Sequence, residues 1–242
     1  MTTGIVTVDA FTDRPFAGNP AAVLVLDGPA DPDWMQAVGR EMNLSETAFL
    51  VQRDDGDWDL RWFSPTVEVD LCGHATLAGA HVLWQDGFVP HTSPIRFHTR
   101  SGTLSAEQDG EWIELDFPAA PAGDTSVEVR ELPSEDELRA LQPDMTELAS
   151  VEARVVYYTA PANDGFDYAD RVFGPKLGIP EDPATGSAHC TLGPLWATRL
   201  GKAELMARQA SARGATFRIR VVGDRVKIAG QAVTVLRGEL DT

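Results

Sequence analysis

Phe63-Ser-Pro-Thr-Val-Glu-Val-Asp-Leu-Cys-Gly-His-Ala-Thr76 and Phe173-Gly-Pro-Lys-Leu-Gly-Ile-Pro-Glu-Asp-Pro-Ala-Thr-Gly-Ser-Ala-His-Cys190 are two versions of one pattern. Each starts at an aromatic-x-Pro step and passes through an acidic loop to a Gly-containing turn. The turn then feeds an apolar helix that carries a tryptophan, Trp84 in the first copy and Trp196 in the second. Two unrelated glycine loops would not share the aromatic, the acid and the following helix, so the order indicates a duplicated unit. A glycine turn leading into a buried helix gathers unpaired backbone N–H groups and the positive end of a dipole at one point, which suits an anion. Alone, Gly73 or Gly186 need only permit a tight turn. The repetition, with polar side chains at each turn, points to function.

Outward from these turns, β-rich runs bounded by turn residues occupy Ile5–Ala10, Ala22–Leu26, Thr47–Gln52, Trp58–Phe63, Ile95–Thr99, Gly102–Gln108 and Trp112–Asp116. Helical patterns cover Pro32 to about Met42, with Asp31 as N-cap, and Ala75–Trp84. Pro118-Ala-Ala-Pro-Ala-Gly-Asp124 has the composition of a linker, so the chain divides into halves at 1–117 and 118–242. The second half offers a short helix at Ser134–Leu141 and an apolar run at Ala153–Thr159. A buried helix follows from about Ser187 to Leu200, closed by Gly201, and then strands at Thr216–Val222, Arg225–Ala229 and Gln231–Arg237.

Composition mainly excludes. With 20 Lys+Arg against 37 Asp+Glu the formal charge is −17, the wrong sign for nucleic acid or anionic lipid. Without a run of about 20 apolar residues or a secretory leader pattern, the expectation is a cytoplasmic protein with no membrane partner. Cys72 and Cys190 are too few for a disulfide scaffold, and neither cysteine nor histidine spacing matches a metal motif. No Gly-x-Gly-x-x-Gly or Walker-type loop occurs. No metal and no organic cofactor is therefore expected.

Phe16-Ala-Gly-Asn-Pro-Ala-Ala-Val, Asn43-Leu-Ser-Glu-Thr-Ala-Phe, Cys72-Gly-His-Ala-Thr, Gly178-Ile-Pro-Glu-Asp-Pro-Ala-Thr-Gly-Ser-Ala-His-Cys and Gln209-Ala-Ser-Ala-Arg-Gly, in this order, resemble the PhzF-like isomerases of phenazine biosynthesis over nearly the whole chain. The resemblance implies an α+β, diaminopimelate epimerase-like fold. Its two related halves would each wrap a mixed, largely antiparallel, barrel-like sheet around a central helix, with the site in the cleft between them. It also implies a homodimer. Carried over residue by residue, it assigns catalysis to Glu46, His74, Asp182 and Ser187, and substrate contact to Asn19, Cys72, Gly73, Thr185 and Gly186.

The chemistry fits these residue types. A partly buried carboxyl is expected to have its pKa raised toward neutrality, so Glu46 can take a proton from one carbon and return it to another. His74 would orient the substrate or assist transfer. Asp182 and Ser187 would bind an amino or hydroxyl group, or else cap the second helix. The implied activity is a cofactor-independent proton shift on a small carboxylate, for example a dihydro-hydroxyanthranilate-like compound. Two alternatives stand beside it: an amino-acid epimerase or racemase, and a noncatalytic small-molecule binder. Related epimerases use one thiol per half, whereas here Pro183 occupies the place of the second and Cys190 lies a turn farther on. The chain departs from the family between Phe117 and Val151, which is short by the equivalent of a strand and part of a helix. That loss would open an edge of the second sheet.

Overall fold

The structure, a computed structural model, describes residues 2–120 and 124–241, so part of the 118–124 linker lies outside the described residues. Two compact units are present: residues 1–116 with 229–242, and residues 117–228.

In unit 1 the elements are β1 (Thr2–Ala10), β2 (Asn19–Leu26), α1 (Pro32–Met42), β3 (Glu46–Gln52), β4 (Trp58–Phe63), β5 (Glu68–Val69), α2 (Gly73–Gln85), β6 (Ile95–Thr99), β7 (Gly102–Asp109) and β8 (Trp112–Pro118). Unit 2 holds β9 (Val127–Glu131), α3 (Glu135–Ala140), α4 (Met145–Ser150), β10 (Val155–Pro161), β11 (Tyr168–Gly174), β12 (Ile179–Asp182), α5 (His189–Leu200), β13 (Glu204–Gln209), β14 (Ala215–Val222) and β15 (Arg225–Gly230). The chain leaves unit 1 along β8 and re-enters it along β15, and β16 (Ala232–Asp241) then pairs antiparallel with β1 from Thr2↔Asp241 to Ala10↔Ala232. Residues 229–242, expected in the second half, therefore pack in unit 1, because β1 offers a long edge that this strand completes.

The duplication is visible strand by strand. In unit 1 the antiparallel pair β3–β4 gains β5 as a short antiparallel return, and α2 then carries the chain to β6, parallel beside β4. In unit 2 the antiparallel pair β10–β11 gains β12 in the same way, and α5 leads to β13, parallel beside β11. The parallel pair β2–β3, bridged by α1, is matched by β9–β10, bridged by α3 and α4. The strand orders run β16-β1-β2-β3-β4-β6-β7-β8 in unit 1 and β9-β10-β11-β13-β14-β15 in unit 2. Among the described residues unit 2 thus has no counterpart of β1, and β9 pairs on one side only, with β10. The stretch expected to be short, Phe117–Val151, includes this edge strand.

Unit 1 is organised around α2. Eleven of its thirteen residues are buried, from Gly73 to Trp84, against β1, β2 and β3. The side chains of Leu77, Val82, Leu83 and Trp84 are at most 2% exposed, each contributing roughly 1.5–3 kcal/mol of apolar burial. Gly79 makes the approach possible, since a Cβ there would sit 3.3 Å from Leu50 Cδ1. On the other sheet face α1 covers Ile5, Leu24, Phe49 and Phe63. Asp31 caps α1 by accepting from Asp33 N at 2.9 Å, and Asn43 ends it in the left-handed region.

In unit 2, α5 begins later than expected, after a 3-10 turn at Gly186–Ala188, and buries one face through His189, Leu192, Gly193 and Trp196. Gly201, left-handed at φ 67°, closes it by donating to Ala197 O. No helix of the described residues is long and apolar enough to cross a membrane.

Candidate active site

In unit 1 the site grows from three chain ends. Gly18 turns the chain into β2 at φ +61°, with its α-carbon so close to the Ala10 carbonyl that a Cβ would lie 2.0 Å from that oxygen. This turn sets Asn19 at the start of β2. Glu46 opens β3, in register beside Ala21 of β2. Cys72 is the extended N-cap of α2, which starts two residues earlier than the sequence pattern indicates and so takes Gly73 and His74 into its first turn.

These residues meet. His74 Nε2 lies 3.1 Å from Glu46 Oε2, with the two side chains 7% and 13% exposed. On the other side of the ring, Nδ1 is 3.3 Å from Asn19 Nδ2 and 3.5 Å from Cys72 Sγ. Ser45 Oγ donates to Asn19 Oδ1 at 3.0 Å, so a chain of polar contacts runs from Ser45 through Asn19 and His74 to Glu46. Asn19 is wholly buried, against the histidine ring.

The electrostatics correct one expectation. Burial does push the Glu46 carboxyl upward, but the hydrogen bond and charge of His74 outweigh it, with help from Cys72, and the net shift is below 4.5. For His74, burial opposes the charged ring, while contact with Cys72 and Glu46 favours it and carries its pKa well above 6.5. Glu46 is therefore a carboxylate beside a proton-bearing imidazole rather than a neutral acid. Cys72 is driven up to about 11, by burial first and then by the Glu46 charge, so its thiol keeps its proton.

The sequence showed no metal spacing, yet Glu46, Cys72 and His74 each place one potential ligand atom within 4.8 Å of the others. Their separation in the chain, across β3 and the start of α2, hid this arrangement.

In unit 2 the second turn is stapled by a residue to which sequence reasoning gave no role. Gln209, buried, accepts from Thr185 N at 2.7 Å and donates to Asp182 O at 2.6 Å. Thr185 Oγ1 donates to Asp182 Oδ2 at 2.6 Å, and Ser211 Oγ to Pro183 O at 2.7 Å. The Gln209-Ala-Ser motif thus shapes the Asp182–Gly186 turn. Gly186 is buried in the 3-10 turn, and Ser187 beside it is half-buried, its hydroxyl engaged by no other described residue. The sequence-predicted residues therefore form two sets: Asn19, Glu46, Cys72, Gly73 and His74 in unit 1, and Asp182, Thr185, Gly186 and Ser187 in unit 2.

Two further features lie outside these sets. Asp170 on β11 is wholly buried, and neither carboxylate oxygen has a hydrogen-bond partner among the described residues. A cavity of about 340 Å³ on the α1 side of the unit 1 sheet is lined by Met35, Phe49, Leu60 and Arg61 among others and includes none of the candidate residues.

The comparisons agree with the fold. The family model described as phenazine biosynthesis-like protein matches residues 8–131 and 117–238. A protein of Halalkalibacterium halodurans named as an isomerase is 47% identical, covering 99% of both chains. That alignment extends over 263 residues, more than the 242 of this chain, so the relative carries residues that are absent here. A solved PhzF family structure from Enterococcus faecalis is 36% identical, superposes with a TM-score of 0.93 and covers 100% of both chains. A hydroxyproline epimerase of Agrobacterium vitis, at 11% identity and a TM-score of 0.65 over 99% of this chain and 92% of that one, shares the fold. With its repeated halves, its isomerase relatives and a family match across both units, the chain belongs to the PhzC-PhzF family of phenazine biosynthesis-like proteins.

Proposed function

We propose that this member of the isomerase/epimerase family catalyses an intramolecular proton shift on a small carboxylate, with Glu46 as the group that removes and returns the proton and no organic cofactor. The observation that carries the proposal is the buried contact of 3.1 Å between Glu46 and His74. A carboxylate kept ionised at neutral pH is ready to accept a proton from carbon, and the imidazolium beside it steadies the charge that develops. Once protonated, Glu46 returns the proton at a second carbon while the double bond moves. His74 holds the carboxylate in line, and Asn19 with Ser45 holds His74. The start of α2, whose first turn has no acidic residue and no side-chain cap, favours the substrate carboxylate. Asp182 and Ser187 are assigned to binding the substrate's polar substituent. A dihydro-hydroxyanthranilate-like acid is the substrate class that the family suggests.

The test is exchange in deuterated water across a panel of small unsaturated and amino carboxylates, followed by NMR. Solvent deuterium at carbon is expected for the true substrate, and Glu46→Gln should lower the rate by about 10²–10⁴-fold, the usual share of general acid/base catalysis. Binding without exchange across the panel would favour a noncatalytic binder. The rival α-carbon racemase requires a thiol base, and the thiols argue against it: Cys72 is held near 11 and Cys190 near 12 by burial.

A further inference from the structure

We infer that β9, the outermost strand of unit 2, is an interface at which two copies of this chain pair antiparallel about a two-fold axis through Val129.

The starting point is an edge that is open in one half of the duplication and filled in the other. β2, the equivalent strand of unit 1, has parallel β3 on one side and antiparallel β1 on the other. β9 has parallel β10 on one side and, among the described residues, no strand on the other. Hydrogen bonds at the two ends of β9 show which groups face that open side. Ser126 O accepts from Val155 N, and Leu132 N donates to Thr159 O, so these two residues turn their backbone toward β10. By the alternation of an extended strand Glu128 and Arg130 do the same, and Val127, Val129 and Glu131 present N–H and C=O outward.

Antiparallel pairing centred on Val129 uses all three outward residues. Val129 faces Val129 of the second copy, and Val127 faces its Glu131, each as a pair that exchanges both backbone bonds. Glu128 and Arg130 fall at the positions between, where opposing side chains come closest, with Cα atoms about 4.5 Å apart. Glu128 of each copy then stands opposite Arg130 of the other. The two residues share a face, Arg130 Nε lying 2.6 Å from Glu128 Oε1 in the single chain, and they keep 26% and 39% of their side chains exposed. Sliding the strands by two residues would oppose Glu128 to Glu128 or Arg130 to Arg130, so charge selects the register that also forms the most backbone bonds. Glu131 brings no uncompensated acid, because Arg199 of its own chain donates to it at 2.8 Å. Proline, lysine and bulges, the usual guards of an edge strand, are all absent from β9. The contact is self-complementary, so it closes as a pair rather than growing into a fibre.

The outward N–H of Val129 supplies the test. Val129→Pro leaves the β9–β10 ladder intact while removing the two central bonds between copies. In analytical ultracentrifugation of the whole protein it should show half the apparent mass of the wild type, whatever other contact the copies share, with an unchanged far-UV circular dichroism spectrum. Glu128→Arg and Arg130→Glu should each lose the association. Mixing these two should restore it, since one then offers only basic and the other only acidic side chains at these positions. Equal mass for wild type and Val129→Pro overturns the interface, as does association that survives either charge reversal or a mixture that stays apart. Should Val129→Pro fail to fold, oxidative cross-linking decides. Cysteines in place of Val129 would stand about 5.5 Å apart at Cα, within disulfide reach, whereas those in place of Val127 would be offset by roughly 13 Å. A cross-linked dimer from Val129→Cys and none from Val127→Cys supports the pairing; none from either, or equal yields from both, refutes it.

Discussion

Acid should open unit 2 through a single buried side chain. His189, the first residue of α5, has no exposed surface; Tyr168 Oη lies 2.7 Å from its Nδ1, and the Phe217 ring lies 4.1 Å from its own ring. Burial alone depresses its pKa from 6.5 to about 3. As pH falls below 6.5 the unfolded chain takes up a proton that the folded unit refuses, so stability present at neutral pH is lost progressively down to about pH 3. At 1.36 kcal/mol per unit, the loss from this group is about 2 kcal/mol by pH 5 and about 4–5 kcal/mol by pH 3. Against a typical total of about 5–15 kcal/mol, that is a large share. Urea unfolding at pH 7.5, 6 and 5, followed through Trp196, the only tryptophan within 117–228, should show the wild type losing about 2 kcal/mol more than His189→Gln over this range. In NMR the His189 ring should stay uncharged throughout. Equal pH dependence in the two proteins, or a His189 ring that titrates near its ordinary value, would refute the argument.

Two further outcomes concern charge. Asp170 is pushed well above 3.8 by burial and then by Asp182, so stability associated with it is present below 3.8 and is lost as pH rises through the folded value. Asp170→Asn should therefore melt above the wild type at pH 7 and lose that advantage near pH 3.5; parallel melting curves at every pH would contradict this. The Glu46–His74 pair behaves differently, because Glu46 contributes fully above 4.5 and loses its share as pH falls, while His74 contributes fully below 6.5 and loses its share as pH rises. Glu46→Gln should accordingly destabilise most between about pH 4.5 and 6.5 in thermal melts, and a deficit that grows outside this window would show that the pair is not ionised.

What was legible in the sequence was periodicity and order. Trp58–Phe63 and Ile95–Thr99 begin by alternating buried with less buried side chains and match their strands without error, and Asp31-Pro32 announces α1. Tyr168–Gly174 was not legible as a strand, because all seven residues are buried and no alternation survives; Glu204–Gln209 and the two-residue β5 were missed as well. The motif resemblance placed Glu46 and His74, and the fold brings them together. It did not foresee the sign of the Glu46 shift, which depends on a histidine 28 residues away in sequence and 3.1 Å away in space. Nor did local pattern tell that Gln209 grips the turn at Thr185, since that bond joins β13 to a loop on the far side of α5.

The return of β16 to β1 gives the protein an order of assembly. On the ribosome, unit 2 is one unbroken stretch and can close as soon as it has emerged, whereas the sheet of unit 1 must wait with β1 unpaired on its outer side while all of unit 2 is made. At ordinary translation speeds that wait is on the order of ten seconds. During it the nascent chain displays a nine-residue strand whose Ile5, Val6 and Val8 are destined for the core. Such an edge is what chaperones bind and what neighbouring nascent chains pair with. The segment 229–242 is thus both the lock of unit 1 and the timer of its folding.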